Sequence, residues 1–230
     1  MHLIPVIELS PWDYQTSERP ALMGSNMDMP EVRHQFWEFS LQEAGIAAPA
    51  PYPRKGSFFI KVASVMEPAM ILAMINQMFA SASLSIVSSG LADIEETLPA
   101  FAGGYVLEAG THIIEPQCCC GLADLDPWRV LVGTESNDWV QVWIGHPCIY
   151  GRRKGEFLEI SAITDEMAKP ENIIPAFSVS VRSLQSAVSD AEEVVLGFRQ
   201  RIASTLEGKF GYREKIEVIA KALTATSYRE

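Results

Sequence analysis

The hydrophobic positions change period along the chain, and the period marks each element. Val181, Leu184, Val188, Ala191, Val195, Phe198 and Ile202 follow one another at alternating steps of three and four. That spacing keeps one helical face apolar for about six turns. Ser189 and Glu192 have the spacing of a capping box and offer a rival break, but the unbroken stripe predicts one long helix. Gly208 and Gly211 should close it. Ile216, Ile219, Ala220 and Leu223 then define a shorter helix over Tyr212–Leu223. Upstream, Pro30–Ile46 reads as a helix, with Pro30 in its first turn and a stripe of Val32, Phe36, Phe39 and Ile46 beside Trp37. Glu67–Ala80 reads as a largely buried helix, Leu91–Phe101 contains a short one, and Asp126-Pro127-Trp128 begins another. Leu3–Leu9, Phe58–Ala63, Leu84–Ser88, Tyr105–Leu107, His112–Ile114, Trp139–Ile144 and Ile149–Ile160 read as strands. The last of these is bent back at Arg152-Arg153-Lys154-Gly155. Strands and helices mix, with helices gathered at the C-terminus. The expected fold is α+β, a central, mostly antiparallel sheet with helices.

Ala47-Ala48-Pro49-Ala50-Pro51-Tyr52-Pro53 favours an extended connector. It suggests a small N-terminal unit over residues 1–46, a proline-rich connector over 47–55 and a main α+β domain over 56–230. Pro68–Ala92 holds 25 uncharged residues, the length of a membrane span. Asn76, Gln77, five serines and Gly90 interrupt it, so a buried helix followed by a strand is preferred and no membrane partner is expected. The first residues lack a basic region, and Pro5 and Glu8 break their apolar run, unlike a signal peptide. Three consecutive cysteines cannot readily bridge one another and point to a reducing compartment. A cytoplasmic protein is expected.

The chain has 230 residues, and 29 acids against 18 bases give a net charge of −11. That balance argues against a nucleic-acid partner. Residues 1–115 hold 13 acids and 5 bases, and no Lys or Arg lies between Lys61 and Arg129. An acidic face there would attract a basic protein partner, and Asp93, Glu95 and Glu96 are its candidate binding residues. Trp139-Val140-Gln141-Val142-Trp143-Ile144 alternates, placing Val140, Val142 and Ile144 on one face. Trp139 and Trp143 on the other face are candidate contact residues, or large aromatics buried beneath a helix. Arg152-Arg153-Lys154 reads as a solvated hairpin tip.

Gly-x-Ser-x-Gly, Walker, Gly-x-Gly-x-x-Gly, His-Glu-x-x-His and Cys-x-x-Cys patterns are absent, so no catalytic residue is assigned and the balance falls against an enzyme. The chemistry-bearing residues are Cys118, Cys119 and Cys120, with His146 and Cys148 downstream and His112 upstream. Free cysteine usually packs as a small hydrophobe, and neighbouring cysteines point in divergent directions. The expectation is therefore structural cysteine, with no metal and no cofactor. A site drawn from Cys118, Cys120, His146 and Cys148 is the metal alternative, and a nucleophile paired with His146 is another.

The tract IIEPQCCCGLADLDPW at residues 113–128, followed by WVQVWIGHPCIYGRRKGEFLEIS at residues 139–161, resembles a group of uncharacterised bacterial proteins. Those carry a Pro-x-Cys-Cys-Gly-Asp-Leu tract, a Trp-rich strand with Gly-His-Pro and a C-terminal helix. The likeness runs from about Glu115 to Arg201. Cys120 is an intrusion into the cysteine tract, and Leu122 stands where an acid would be expected. Some similar proteins are thought to be immunity proteins of polymorphic toxin systems. The resemblance implies a non-enzymatic acidic protein that neutralises a basic toxin domain, and it transfers no catalytic residues. The alternatives are a subunit that docks through its C-terminal helix and a cysteine- or metal-dependent enzyme. The oligomeric state is left open.

Overall fold

A computed structural model of the chain describes residues 1–14, 29–165 and 167–224. It is an α+β fold of eight strands and seven α-helices among the described residues. The strands divide between two four-stranded antiparallel sheets rather than forming one central sheet. The first has the order β2 (Phe59–Lys61), β1 (His2–Glu8), β3 (Gly103–Ala109), β4 (His112–Ile114). The second runs β5 (Val140–Val142), β6 (Ile149–Lys154), β7 (Phe157–Ser161), β8 (Pro175–Ser180). The helices are α1 (Pro11–Tyr14), α2 (Pro30–Glu43), α3 (Pro68–Ser81), α4 (Leu91–Thr97), α5 (Asp126–Gly133), α6 (Val181–Phe210) and α7 (Arg213–Thr224). The backbone gathers into two compact units. One comprises Met1–Pro5 and Ala102–Val195, and the other Val6–Phe101 and Leu196–Thr224. Residues 47–55 lie within the second unit.

In the second unit α2 starts at Pro30 and ends early, because Gly45 at φ +72° turns the chain and Ile46 N–H donates to Leu41 O at 2.8 Å. A left-handed glycine just past the last turn is a common helix stop. The buried face of α2 is Phe36, Trp37, Ser40 and Leu41, rotated from the stripe that sequence spacing suggests. A polar anchor helps to fix it: the Trp37 indole is fully buried and donates to Leu9 O at 2.8 Å. An indole N–H inside a core needs such a partner. The Ser40 hydroxyl is likewise satisfied by Phe36 O at 3.0 Å.

The apolar run from Pro68 becomes the 14-residue α3. No helix among the described residues is long and apolar enough to cross a membrane. The strand expected over Leu84–Ser88 does not form; the segment is a turn. Ser85 N–H donates to the Ser89 hydroxyl at 2.9 Å, and Ser88 N–H to the Ser85 hydroxyl at 3.2 Å. Serine side chains thus take the backbone groups a strand ladder would need. Lys215 of α7 caps the same turn, donating to Val87 O and Ser89 O at 3.1 and 2.7 Å.

The long helix is continuous for 30 residues. Ser189 does not cap a break: its hydroxyl donates back to Gln185 O at 3.2 Å, and Glu192 is drawn to Arg129. Gly208 is tolerated inside the helix, and the chain turns instead at Gly211, φ +71°.

In the first unit the second sheet buries Val142, Ile149, Leu158, Ile160 and Val179 on one face, the alternation that a half-buried antiparallel sheet requires. Strand β8 has no strong sequence signal because Pro175 opens it, and proline is admitted only at such a strand start or edge. Helix α5 packs on this face at Gly151. A Cβ there would stand 2.3 Å from Leu131 Cδ1 and 3.2 Å from its Cγ, and Leu131 is fully buried. Gly151→Ala should cost about 1–3 kcal/mol by overpacking, and Leu131→Ala about 2–5 kcal/mol by leaving a cavity. Urea unfolding of the double variant should show a loss well below the sum, since the new methyl enters the space that leucine vacates.

Candidate functional site

The residues with the most chemistry meet where two loops of the first unit lock together. One loop is Pro116–Cys120, leaving β4, and the other is Ile144–Cys148, between β5 and β6. Gln117 N–H donates to Ile144 O, and His146 N–H donates to Cys118 O at 3.4 Å. Cys118 and His146 thus form an antiparallel bridge, and the Cys118 thiol donates to His146 O at 3.3 Å. Directly opposed residues of such a bridge carry side chains on the same side.

Two local features let the loops approach. Gly145 sits at φ +99°, and a Cβ there would lie 2.2 Å from Cys118 O and 2.7 Å from Gln117 C. Only glycine fits, because the obstruction is backbone and has no rotamer to change. Cys119 has φ +66°, a left-handed conformation uncommon for non-glycine residues. That turn ends the divergence expected of neighbouring cysteines. A ligand atom from each of Cys118, Cys119 and His146 lies within 4.8 Å of the others, and all three residues are exposed. The Trp143 ring meets the His146 imidazole edge-on at 4.4 Å between centroids. The Cys119 thiol is pushed above its ordinary value, first by its hydrogen bond to Cys118 and then by the charge of that neighbour.

The structure therefore assembles a different set from the one anticipated as the metal alternative. Cys118 and His146 meet, Cys119 joins them, and Cys120 and Cys148 do not belong to the cluster. Cys120 is buried and its thiol is pushed up to about 12, chiefly by burial and then by the charge of Asp124. It lines a cavity of about 10 Å³ with Gly104, Tyr105, Trp128 and Trp143, room for about one water and for no substrate. Cys148 is fully buried with Tyr150 and Ile173, and its sulfur accepts from Gln141 Nε2 at 3.4 Å. Among the chemistry-bearing residues, His112 stacks on Phe177 at 4.5 Å and is also outside the cluster. None of the four cysteines forms a disulfide.

The two candidate tryptophans go to different surroundings. Trp139 is half-buried against the cluster of Cys148, Tyr150 and Ile173, and the Arg152 guanidinium lies 4.3 Å over its ring. Arg152 also pairs with Glu159 at 2.7 Å, so this member of the basic run is committed to the sheet. Trp143 faces His146 and the small cavity. Asp93, Glu95 and Glu96 are exposed on α4, and the Asp93 carboxylate accepts from Gly90 N–H at 3.1 Å, capping its own helix.

Folding redistributes the charge. The unit carrying Asp93 holds 14 acids and 11 bases, because it includes the basic residues of Leu196–Thr224. Its net is −3. Over Met1–Pro5 and Ala102–Val195 there are 14 acids and 6 bases, a net of −8. Among the described residues of that unit, Glu135, Asp138, Glu156, Asp165, Glu171, Asp190 and Glu193 are exposed, against only Lys154, Lys169 and Arg182.

A carboxyl pair in the second unit gave no sequence signal. Glu8 is raised above its ordinary value by burial first and then by Asp13, with Arg33 opposing, and Asp13 is raised by burial. No family model, curated protein or solved structure matches the chain.

Two variants check these assignments. Gly145→Ala should cost more than about 1 kcal/mol, since it adds a backbone clash to a positive φ. Alkylation of Cys118 and Cys119 should show its effect on the junction directly. Glu8 binds its proton more tightly folded than unfolded, so its contribution falls as pH rises from about its ordinary 4.5 through the folded value. Glu8→Gln should therefore raise the urea midpoint at neutral pH and give no advantage at a pH below that window.

Proposed function

We propose that this chain is a non-enzymatic acidic binding protein, an immunity protein whose partner is a toxin domain with a basic surface. The observation that carries the reading is the concentration of charge over Ala102–Val195, with seven exposed acids against three exposed bases among the described residues. Such a surface speeds encounter with a basic partner and steers its approach. The exposed pair Glu135 and Asp138 adjoins Trp139, a half-buried aromatic with arginine on its face, the kind of residue that anchors interfaces. Asp93, Glu95 and Glu96 are a second acidic surface, in the unit of lower net charge. Four cysteines outside any disulfide accord with a reducing, cytoplasmic setting. Docking through α6 is less favoured, because Leu184, Val188, Ala191, Val195, Phe198 and Ile202 are already buried within the chain.

The test is growth rescue in a bacterial host that expresses the C-terminal regions of proteins encoded beside this one, each with and without this chain. One region should kill, and co-expression should restore growth. Glu135→Lys with Asp138→Lys should weaken binding to that region more than reversal of Asp93, Glu95 and Glu96. Affinity should fall steeply as salt rises. Rescue by a complex whose affinity ignores both salt and every reversal would overturn the electrostatic reading, and absence of any toxic neighbour would overturn the immunity reading.

A further inference from the structure

We propose that Cys118, Cys119 and His146 bind a thiophilic metal ion, zinc in the first instance, at the exposed junction of the two interlocked loops. The ligand types choose the class of ion. Two thiolates and an imidazole suit zinc or copper(I) and do not suit magnesium or calcium, which take oxygen ligands. The spacing suits it as well. Zn–S bonds of about 2.3 Å at a tetrahedral centre place two sulfurs about 3.8 Å apart. The three ligand atoms already lie within 4.8 Å of one another, so side-chain rotation of an ångström or less closes the site.

The backbone around the cluster is fixed independently of any ion. The Cys118–His146 bridge, the glycine-only approach at Gly145 and the left-handed Cys119 hold the three side chains together. The packing of Trp143 on the imidazole orients the third ligand. Burial as small hydrophobes accounts for Cys120 and Cys148, which are 8% and 0% exposed. It does not account for Cys118 and Cys119, which face solvent side by side. A disulfide between them is disfavoured, since adjacent Cα atoms are about 3.8 Å apart where a disulfide usually spans about 4.4–6.8 Å. On binding, both sulfurs coordinate as thiolates and release their protons to solvent. Three protein ligands leave a fourth position open, as in zinc sites that hold a water or an incoming group. The site is independent of the acidic-surface reading, and either can fail alone.

The experiment uses the full chain, reduced and stripped with chelator, titrated with Zn²⁺ against a chromophoric competitor and with Co²⁺ as a spectroscopic probe. One ion per chain and a thiolate-to-cobalt charge-transfer band are expected. Cys118→Ser, Cys119→Ser and His146→Gln should each weaken Zn²⁺ binding by more than about 100-fold, beyond what outer-shell partners contribute. Cys120→Ser and Cys148→Ser should leave it within about threefold, with circular dichroism confirming that each variant is folded. Zn²⁺ should also slow alkylation of Cys118 and Cys119 in the unaltered protein, a readout that needs no variant. Copper(I) binding in place of zinc with the same variant pattern would sustain the site and change only its ion. Binding insensitive to the three ligand variants, or unchanged alkylation with neither metal bound, would overturn it.

Discussion

The close approach of two backbones at Gly145 is the constraint around which the first unit's chemistry is organised. A peptide carbonyl occupies the place where a side chain would begin, so position 145 must be glycine and its conformation must be left-handed. Once the loops are that near, their free N–H and C=O groups pair across the gap, which removes the cost of burying them. The pairing then fixes which side chains share a surface. Cys118 and His146 become neighbours although 28 residues separate them. Cys119 joins them only because its own backbone turns left-handed, and Cys120, one residue on, is carried into the interior. Three adjacent residues of one type thus acquire two environments from backbone geometry alone.

Charge follows the same logic on a larger scale. Along the chain, the net negative charge is concentrated in the N-terminal half, where bases are scarce. In the folded protein the basic residues of Leu196–Thr224 belong with Val6–Phe101, and the acidic excess shifts to Ala102–Val195. Lys215 shows the effect at a single point, since its ammonium caps the turn that leads into α4. Several acids within the excess also serve the fold: Asp126 and Glu192 share Arg129, and Asp124 accepts from Gly121 N–H at 2.8 Å. The remaining exposed acids set the field that a partner would meet, and the thiol–imidazole junction lies in the same unit.

How much of this was legible beforehand depends on the range of the interaction involved. Helix α6 could be read because its stripe repeats over six turns, and every residue of the stripe reports the same face. The turn at Gly155, φ +60°, with its flanking strands β6 and β7 was legible for a similar reason, as a local reversal between alternating runs. The segment Leu84–Ser88 has a strand-like apolar pattern yet forms a turn, because side-chain hydroxyls compete for the backbone groups and that pattern does not register them. The rotated face of α2 was decided by Leu9, a distant carbonyl that holds the Trp37 indole.

By itself, the sequence determined the α+β class, the two C-terminal helices and most strand positions, since periodicity and turn residues act over a few neighbours. It also supplied the right residues for the junction, Cys118, Cys119, Gly145 and His146, without showing that they meet. Tertiary structure alone decided which cysteines face water, which acids share a unit and which strands share a sheet. Each of those depends on backbone pairing between segments far apart in the chain, and no local pattern encodes the register of such a pairing.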